Sequence, residues 1–340
     1  MSLLSVRDLV VRYESSHGRL SAVSGVSFDI EPGETVGLVG ESGCGKSSLA
    51  KAIMQLAPVS EGSIAFEGRA FGSIHRHERA EFRRKIQMIF QDPYGSLNPR
   101  HDVLTIIRQP LLIAGWRRAE ASERALDLMD QVGLPRQAAT RYPHEFSGGQ
   151  RQRIGIARAL ALEPQLVVCD EPVSALDVSV RAQIINLLTR LQRGREIAFL
   201  FISHDLSVIE HVAQRVLVMY LGRIVESGPV ATVWRSAAHP YTRALLASAP
   251  IADPRFARRR VRKPIEGELP SPYNPPSGCV FVTRCPFAQD RCRHQQPQLR
   301  PKAAGHSVAC HFDLPPLVHP VPEPIVAGVA VRPLHTALKG

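Results

Sequence analysis

The apolar residues of this chain are gathered in short continuous runs that end abruptly at polar residues. The clearest runs are Glu34–Val39, Leu166–Glu171 and Ala198–Ile202, in which nearly every interior position is apolar. A strand that is apolar at successive rather than alternate positions is typical of a parallel sheet covered on both faces. The pattern therefore predicts an α/β fold in which several buried parallel strands alternate with helices.

The first run leads into a glycine-rich motif, Gly40–Ser47, which fits the pattern GxxxxGK(S/T) and precedes a helix predicted from about Lys46. Glycines let successive backbone N–H groups turn towards a phosphate, and the positive end of the helix faces the same anion. Lys46 is expected to reach the β- and γ-phosphates, and the Ser47 hydroxyl to ligate Mg²⁺. A strand-to-helix turn without a ligand is the alternative. The candidate nucleotide contacts are Gly40, Glu41, Ser42, Gly43, Cys44, Gly45, Lys46, Ser47 and Ser48.

The second run ends in two adjacent carboxylates, Asp170 and Glu171. Ligands collect at the carboxyl ends of parallel strands, so both side chains are expected beside the phosphate motif. Asp170 suits the Mg²⁺ shell, directly or through water, and Glu171 is placed to polarise an attacking water as general base. The alternative is that the pair only caps the next helix.

A third motif, Phe146–Gln150, resembles the LSGGQ signature of ATP-binding cassette (ABC) proteins, with Phe in place of the usual Leu. Other positions match the same family in order: Tyr13 where an aromatic ring stacks on adenine, Gln91 where a glutamine senses Mg²⁺ and water, Ser174–Asp177 as the D-loop, and His204 after the third run. The resemblance covers about residues 3 to 235. It implies a P-loop cassette that binds ATP and Mg²⁺ and has a helical subdomain at about 92–160. By themselves, a strand tyrosine usually packs and a lone histidine is usually a satisfied polar group.

The signature is expected to open a helix that ends at the Glu163–Pro164 stop, so that its serine and N–H groups form a second anion site. One chain cannot easily close both anion sites on one nucleotide. The family resemblance implies a head-to-tail dimer in which Ser147, Gly148, Gly149 and Gln150 clamp the γ-phosphate held by the partner, with Asp177 at the same interface.

Several short segments of the chain also resemble the dipeptide and oligopeptide importers, and within that group the F-type ATPase subunit. The matching segments are Gln91–Arg100, Arg141–His144, Glu171–Ser179, His239–Thr242, Gly267–Pro272 and Asn274–Pro276. The resemblance implies a D-type ATPase partner, two membrane permeases and an extracytoplasmic solute-binding protein, with Asp92–Pro99 receiving the permease. A cassette for nickel or glutathione uptake and a soluble nucleic-acid or repair ATPase remain alternatives.

Composition limits these alternatives. Of the 27 prolines in 340 residues, 17 lie after Ser236, which predicts a cassette at 1–235 and a small Pro/Cys-rich C-terminal domain at 236–340. No apolar run reaches about 18 residues and no signal peptide is evident, so we expect a soluble, cytoplasmic chain. The importer resemblance implies that it lies at the cytoplasmic face of the membrane as a peripheral subunit. The net charge of +11 includes a basic run at 255–263, but this run lacks interleaved aromatics and predicts no nucleic-acid partner.

Cysteines in the C-terminal region suggest a further site. Cys279, Cys285, Cys292 and Cys310 are spaced x5, x6 and x17, which differs from paired CxxC zinc motifs. Disulfides are not expected in a reducing compartment. The importer resemblance implies a structural 4Fe–4S cluster on these four residues, while zinc, mixed ligation with His294, His306 or His311, and no metal stay open. Cys44 and Cys169 are expected to be packing residues.

Overall fold

The structure is a computed structural model that describes residues 2–16, 18–73, 78–248, 267–268 and 270–314. Its strands are β1 (Leu4–Ser15), β2 (Gly18–Ile30), β3 (Thr35–Val39), β4 (Glu61–Phe66), β5 (Arg69–Ala70), β6 (Ile86–Ile89), β7 (Leu166–Asp170), β8 (Ala198–Ile202), β9 (Arg215–Tyr220), β10 (Arg223–Pro229), β11 (Arg300–Ala303) and β12 (His306–Val308). Its helices are α1 (Lys46–Ile53), α2 (Arg79–Lys85), α3 (Val103–Ile113), α4 (Arg118–Gln131), α5 (Gly148–Leu160), α6 (Val178–Arg195), α7 (Leu206–Val212), α8 (Val230–Ser236), α9 (Pro240–Ser248) and α10 (Asp290–His294).

The main sheet has eight strands in the order β11-β12-β10-β9-β3-β8-β7-β6. Strands β6, β7, β8, β3 and β9 run parallel to one another, whereas β10 pairs antiparallel with β9. Every residue of β3, β7 and β8 is buried, which confirms the sequence-based prediction of buried parallel strands. The carboxyl ends of these three strands lie at one edge of the sheet, where ligands bind in folds of this kind.

A second, four-stranded antiparallel sheet has the order β2-β1-β4-β5. Its apolar face packs with β3 and α1 into one core cluster that includes Leu4, Val26, Leu38 and Leu49, all essentially fully buried. This packing fixes the start of α1, and therefore the phosphate motif, between the two sheets.

Helices α3, α4 and α5 lie between β6 and β7 in the chain and pack against one another. Ser147 caps α5, since its side chain accepts from the N–H of Gln150 and the Gln150 side chain accepts from the N–H of Ser147. This is a capping box, which favours a helix start at this point. The helix ends at Leu160, before the predicted stop at Glu163–Pro164, and Glu163 adopts a left-handed backbone with φ 53°.

The C-terminal region shares its core and sheet with the cassette. Strand β12 pairs with β10, and Val280 and Phe281 belong to the same core cluster as Val216 of β9. Glu226 of β10 is fully buried, and its carboxylate lies 2.8 Å from Nε2 of His306 on β12. The hairpin β11–β12 was not anticipated from the sequence because its strands are short and β11 is exposed throughout.

None of the helices in the described ranges is both long and apolar enough to cross a membrane.

Candidate active site

A cleft of about 450 Å³ opens at the carboxyl edge of the main sheet, over the phosphate motif. The residues that line it are Leu20, Ser21, Ala22, Ser42, Gly43, Cys44, Gly45, Lys46, Ser47, Ser48, Gln91, Glu171, His204, Leu221, Gly222 and Pro272. The fold therefore brings residues from three of the sequence motifs to one surface, together with a proline from the C-terminal region.

The phosphate motif is held in a tight curve that requires glycine at particular positions. Gly40 has φ 157°, and a Cβ there would lie 2.2 Å from the carbonyl oxygen of Met219. Gly45 has φ 108°, and a Cβ there would lie 2.1 Å from the carbonyl oxygen of Ala22. Any side chain at either position would displace neighbouring backbone, so both glycines are needed for the loop to lie against β2 and β9.

Lys46 is the first residue of α1, and its side chain is turned back over the loop. Its Nζ donates to the carbonyl oxygens of Gly40 at 2.8 Å and Glu41 at 2.9 Å. The residue is 5% exposed, so the ammonium is held by these carbonyls rather than by solvent. A nucleotide phosphate in the cleft would offer this cation stronger, charge-assisted hydrogen bonds.

Ser47 and Asp170 form the oxygen pair that sequence analysis assigned to Mg²⁺. The Ser47 hydroxyl donates to Oδ1 of Asp170 at 3.1 Å. Burial raises the pKa of the Asp170 carboxyl, and the neighbouring charge of Glu171 adds to this. A divalent cation would offset both effects, and carboxylate and hydroxyl oxygens are ligands that suit Mg²⁺.

Gln91, Glu171 and His204 converge although they are distant in sequence. Gln91 Nε2 donates to Glu171 Oε2 at 3.1 Å, and His204 Nδ1 lies 3.2 Å from Glu171 Oε1. Glu171 has a left-handed backbone with φ 46°, and its N–H donates to the carbonyl oxygen of Ile202. Such a conformation is unfavourable for a residue with a side chain and is common at functional sites. It directs the carboxylate between the other two side chains.

Gly40, Glu41 and Asp170 adjoin the cleft without lining it, and two further groups of predicted site residues lie outside it. Tyr13 is half-buried on β1 and packs against the core of the antiparallel sheet. Asp177 is exposed at the start of α6, and the signature residues Ser147–Gln150 begin α5. Gly149 packs closely on α6, where a Cβ would lie 2.4 Å from Val180 Cγ1. Adenine stacking by Tyr13 and γ-phosphate binding by the signature thus stay predictions.

Sequence reasoning missed the contacts that the C-terminal region makes with the phosphate motif. Arg284 pairs with the Glu41 carboxylate at 2.7 Å, and the Tyr241 hydroxyl accepts from the Glu41 N–H at 2.8 Å. These partners lie more than 190 residues from Glu41 in the chain, and no local pattern marks them.

The four C-terminal cysteines line one small cavity together with Phe281, Phe287 and His239; its free volume is only about 10 Å³. Burial raises the pKa of the Cys279 and Cys285 thiols to about 11. Across the described part of the chain, no three or more His, Cys, Asp or Glu side chains are grouped so that they could hold a metal ion. The four thiols thus share one cavity, but as they are placed they are not grouped to hold a metal, and they would have to move to admit a cluster. Cys44 and Cys169 are buried away from this cavity.

Comparison with known proteins agrees with this geometry. Residues 23–174 match the ABC transporter family, and residues 225–292 match the C-terminal region of oligopeptide/dipeptide transporters. The oligopeptide transport ATP-binding protein OppF of Escherichia coli (strain K12) is 50% identical over 319 residues, covering 91% of this chain and 95% of that protein. The oligopeptide transport ATP-binding protein AppF of Bacillus subtilis (strain 168) is 49% identical over 302 residues, or 88% and 92% of the two chains.

Among solved structures, the ATP-binding cassette MJ0796, in a dimeric post-hydrolysis state bound to ADP and Pi, superimposes with a TM-score of 0.61 at 27% identity. That match covers 67% of this chain and 98% of MJ0796. The chain therefore belongs to the oligopeptide/dipeptide family of ABC transporter ATP-binding proteins.

Proposed function

We propose that this chain is the ATP-hydrolysing subunit of an ABC importer that takes up di- or oligopeptides, and that it acts at the cytoplasmic face of the membrane. The observation that carries the proposal is the convergence of Gln91, Glu171 and His204 beside the phosphate motif. The match of residues 225–292 to the oligopeptide/dipeptide transporter tail supports peptides as substrates.

Within the cleft, each residue has a distinct task. Lys46 leaves the Gly40 and Glu41 carbonyls to bind the β- and γ-phosphates, while Ser47 and Asp170 hold Mg²⁺. Glu171 accepts a proton from the attacking water, Gln91 orients that water, and His204 contacts the γ-phosphate. The short distances between these side chains support this division of roles.

A second ATPase chain completes the site. The signature residues Ser147–Gln150 lie outside the chain's own cleft, which supports a head-to-tail arrangement in which they meet the partner's nucleotide. The partner is a D-type ATPase of the same importer. The isolated chain should therefore hydrolyse ATP slowly, and full activity in a strictly monomeric preparation would contradict this.

The segment Asp92–Pro99 is the docking surface for the permeases. Tyr94 is 65% exposed, and its ring lies under the Arg151 guanidinium at 3.6 Å. Arg158 donates to the carbonyl oxygen of Ser96. Because Arg151 and Arg158 belong to the signature helix α5, movement of this segment would be passed directly to the γ-phosphate clamp.

Reconstitution tests the proposal. The chain, its D-type partner, both permeases and the solute-binding protein would be placed in proteoliposomes, and uptake of a radiolabelled peptide would be measured with ATP. Uptake that is lost with Lys46→Ala supports the proposal. ATP-dependent uptake of nickel or glutathione without peptide uptake would replace the substrate class, and absence of any transport would favour a soluble ATPase.

We further propose that Cys279, Cys285, Cys292 and Cys310 hold a structural 4Fe–4S cluster, because all four side chains line one cavity with an apolar shell. When bound, the cluster would cross-link loops that otherwise have little regular structure. Anaerobically purified protein should be brown, absorb broadly near 400 nm and contain about four irons per chain. Cys292→Ser should lose the iron, whereas Cys169→Ser should keep it. Stoichiometric zinc, or metal-free protein with a folded C-terminal region, would overturn the assignment.

A further inference from the structure

Glu41 is fixed at every one of its polar groups. Its N–H donates to the Tyr241 hydroxyl at 2.8 Å, its carbonyl oxygen accepts from Lys46 Nζ at 2.9 Å, and its carboxylate forms two hydrogen bonds with Arg284, at 2.7 and 3.1 Å. Glu41 does not line the cleft. Its side chain therefore acts on the phosphate motif through the backbone, without contact with a nucleotide.

Two of these three fixing groups come from the C-terminal region. Tyr241 is fully buried on α9, and Arg284 has a side chain that is only 7% exposed. Arg284 also donates to the Tyr220 hydroxyl at 3.3 Å. Burial alone would lower the pKa of Arg284, but its hydrogen bonds to Glu41 and Tyr220 raise it above the ordinary value. The guanidinium thus stays charged next to the motif.

Aromatic packing keeps both groups in place. The ring centroids of Tyr220 and Tyr241 lie 4.6 Å apart, and the centroid of the Phe281 ring lies 5.2 Å from the first and 5.5 Å from the second. Phe281 also precedes Arg284 in one tight turn, in which the Arg284 N–H donates to the Phe281 carbonyl oxygen. The position of the guanidinium is therefore set by the same cluster that positions the Tyr241 hydroxyl.

We propose that Arg284 and Tyr241 are positioning residues for ATP: together they hold Glu41 so that the phosphate motif is preformed, and Arg284 neutralises a carboxylate that would otherwise repel the nucleotide phosphates. The inference rests on the proposed role of the cleft as the nucleotide site. Through these two residues, the C-terminal region would help to set the affinity for nucleotide in addition to packing against the cassette.

The electrostatic part of this proposal predicts an asymmetry between the two partners. Removing Arg284 leaves a partly buried carboxylate without its counter-ion, which is more costly than removing both charges together. Arg284→Gln should therefore weaken nucleotide binding more than Glu41→Gln does. The double variant E41Q/R284Q should regain affinity relative to R284Q alone.

The test is equilibrium binding of a fluorescent N-methylanthraniloyl ATP with Mg²⁺ to the full chain. We expect R284Q to raise Kd roughly tenfold, E41Q less than threefold, and the double variant to return to the E41Q value. Tyr241→Phe, which keeps the ring packing, should raise Kd roughly threefold. The control is Arg300→Gln, which removes an exposed arginine of the same region that pairs with Asp313 and should leave Kd unchanged.

Kinetics of the assembled transporter separate positioning from general damage. In R284Q we expect the KM for ATP to rise with Kd while kcat stays within about twofold, because the catalytic groups are untouched. Arg284→Lys, which keeps the charge but not the paired geometry, should be intermediate. Wild-type Kd in R284Q, or a double variant as weak as R284Q, would overturn the proposal. Failure of the wild-type chain to bind the probe would instead contradict the nucleotide site itself.

Discussion

The phosphate cleft and the four-cysteine cavity are built in opposite ways, although one aromatic cluster reaches both regions: Phe281 lines the cavity, and Tyr241 accepts a hydrogen bond from Glu41 of the phosphate motif. The cleft holds about 450 Å³, and many of its lining residues are polar or charged, such as Gln91, which donates a hydrogen bond to Glu171. The cavity has about 10 Å³ of free volume and is lined by thiols and aromatic rings. The first is a preformed, open site whose groups are held by strand ends. The second is closed, and its shape depends on the packing of loops that are distant in sequence.

The largest effect is expected in the cleft, for Glu171→Gln. Loss of the general base should slow turnover in the assembled complex by roughly 10² to 10⁴. The phosphate contacts remain, so the variant should bind ATP and accumulate as a closed dimer, detectable by size-exclusion chromatography with ATP. The matched control is Glu31→Gln, an exposed carboxylate ahead of β3. Unchanged turnover in Glu171→Gln would remove this residue from the catalytic role.

The packing around the four-cysteine cavity is tested by Phe281→Ala. Phe281 is 1% exposed and contacts Tyr220 and Tyr241, so truncation should lower the free energy of unfolding by about 3 to 5 kcal/mol. Denaturant titration measures the change. Phe287→Ala is the control, because Phe287 lines the same cavity but is 44% exposed and should cost far less. Equal losses would show that the aromatic cluster is not the main support of this region.

A smaller effect is expected at the junction between the regions, where Glu226 accepts from the N–H groups of Ala238 and His239 and pairs with His306. Glu226→Gln replaces one acceptor oxygen by a donor, so the protein should lose about 1 to 3 kcal/mol near neutral pH. Urea unfolding of both proteins at several pH values gives the comparison.

The pH dependence of this loss follows from the Glu226 carboxyl. Burial alone would raise its pKa, but the hydrogen bonds with His306 and with the backbone N–H groups of Ala238 and His239 lower it below the ordinary 4.5. A depressed folded-state pKa contributes stability that is complete above about 4.5 and disappears as the pH falls through the folded value. The difference between wild type and Glu226→Gln should therefore shrink in acid. A difference that grows as the pH falls would contradict this assignment.

The smallest expected effect is at Tyr13, which lies outside the cleft. If its ring reaches adenine when nucleotide binds, Tyr13→Ala should raise the Kd for ATP roughly threefold, and Tyr13→Phe should not. Unchanged affinity in Tyr13→Ala would leave this residue with a packing role only.

The sequence can predict which of the candidate catalytic groups come together, because these groups lie at or after the ends of buried strands. Once β3, β7 and β8 are recognised, Lys46, Asp170 and His204 must meet at one edge of the sheet. Contacts between residues that are far apart in the chain leave no comparable pattern in the sequence. The pairing of Arg284 with Glu41 joins residues 243 apart, and the pairing of Glu226 with His306 joins residues 80 apart.

Tyr13 illustrates another limit of sequence reasoning. The family resemblance predicts an aromatic residue at this position. The direction of the Tyr13 ring, however, is decided by how β1 packs against the core. The four cysteines line one cavity, but their spacing could not reveal how little space the surrounding rings leave, and the cluster that they suggested stays a proposal.

The hairpin β11–β12 covers what would otherwise be an edge of the main sheet. Strand β10 is an inner strand only because β12 pairs with it, and β11 forms the outer edge with exposed residues that include Arg300 and Lys302. A chain cut after residue 235 would expose the backbone of β10 and leave the buried Glu226 without His306. Exposed strand edges invite pairing with other chains. We therefore expect the truncated chain to aggregate more readily than the full chain.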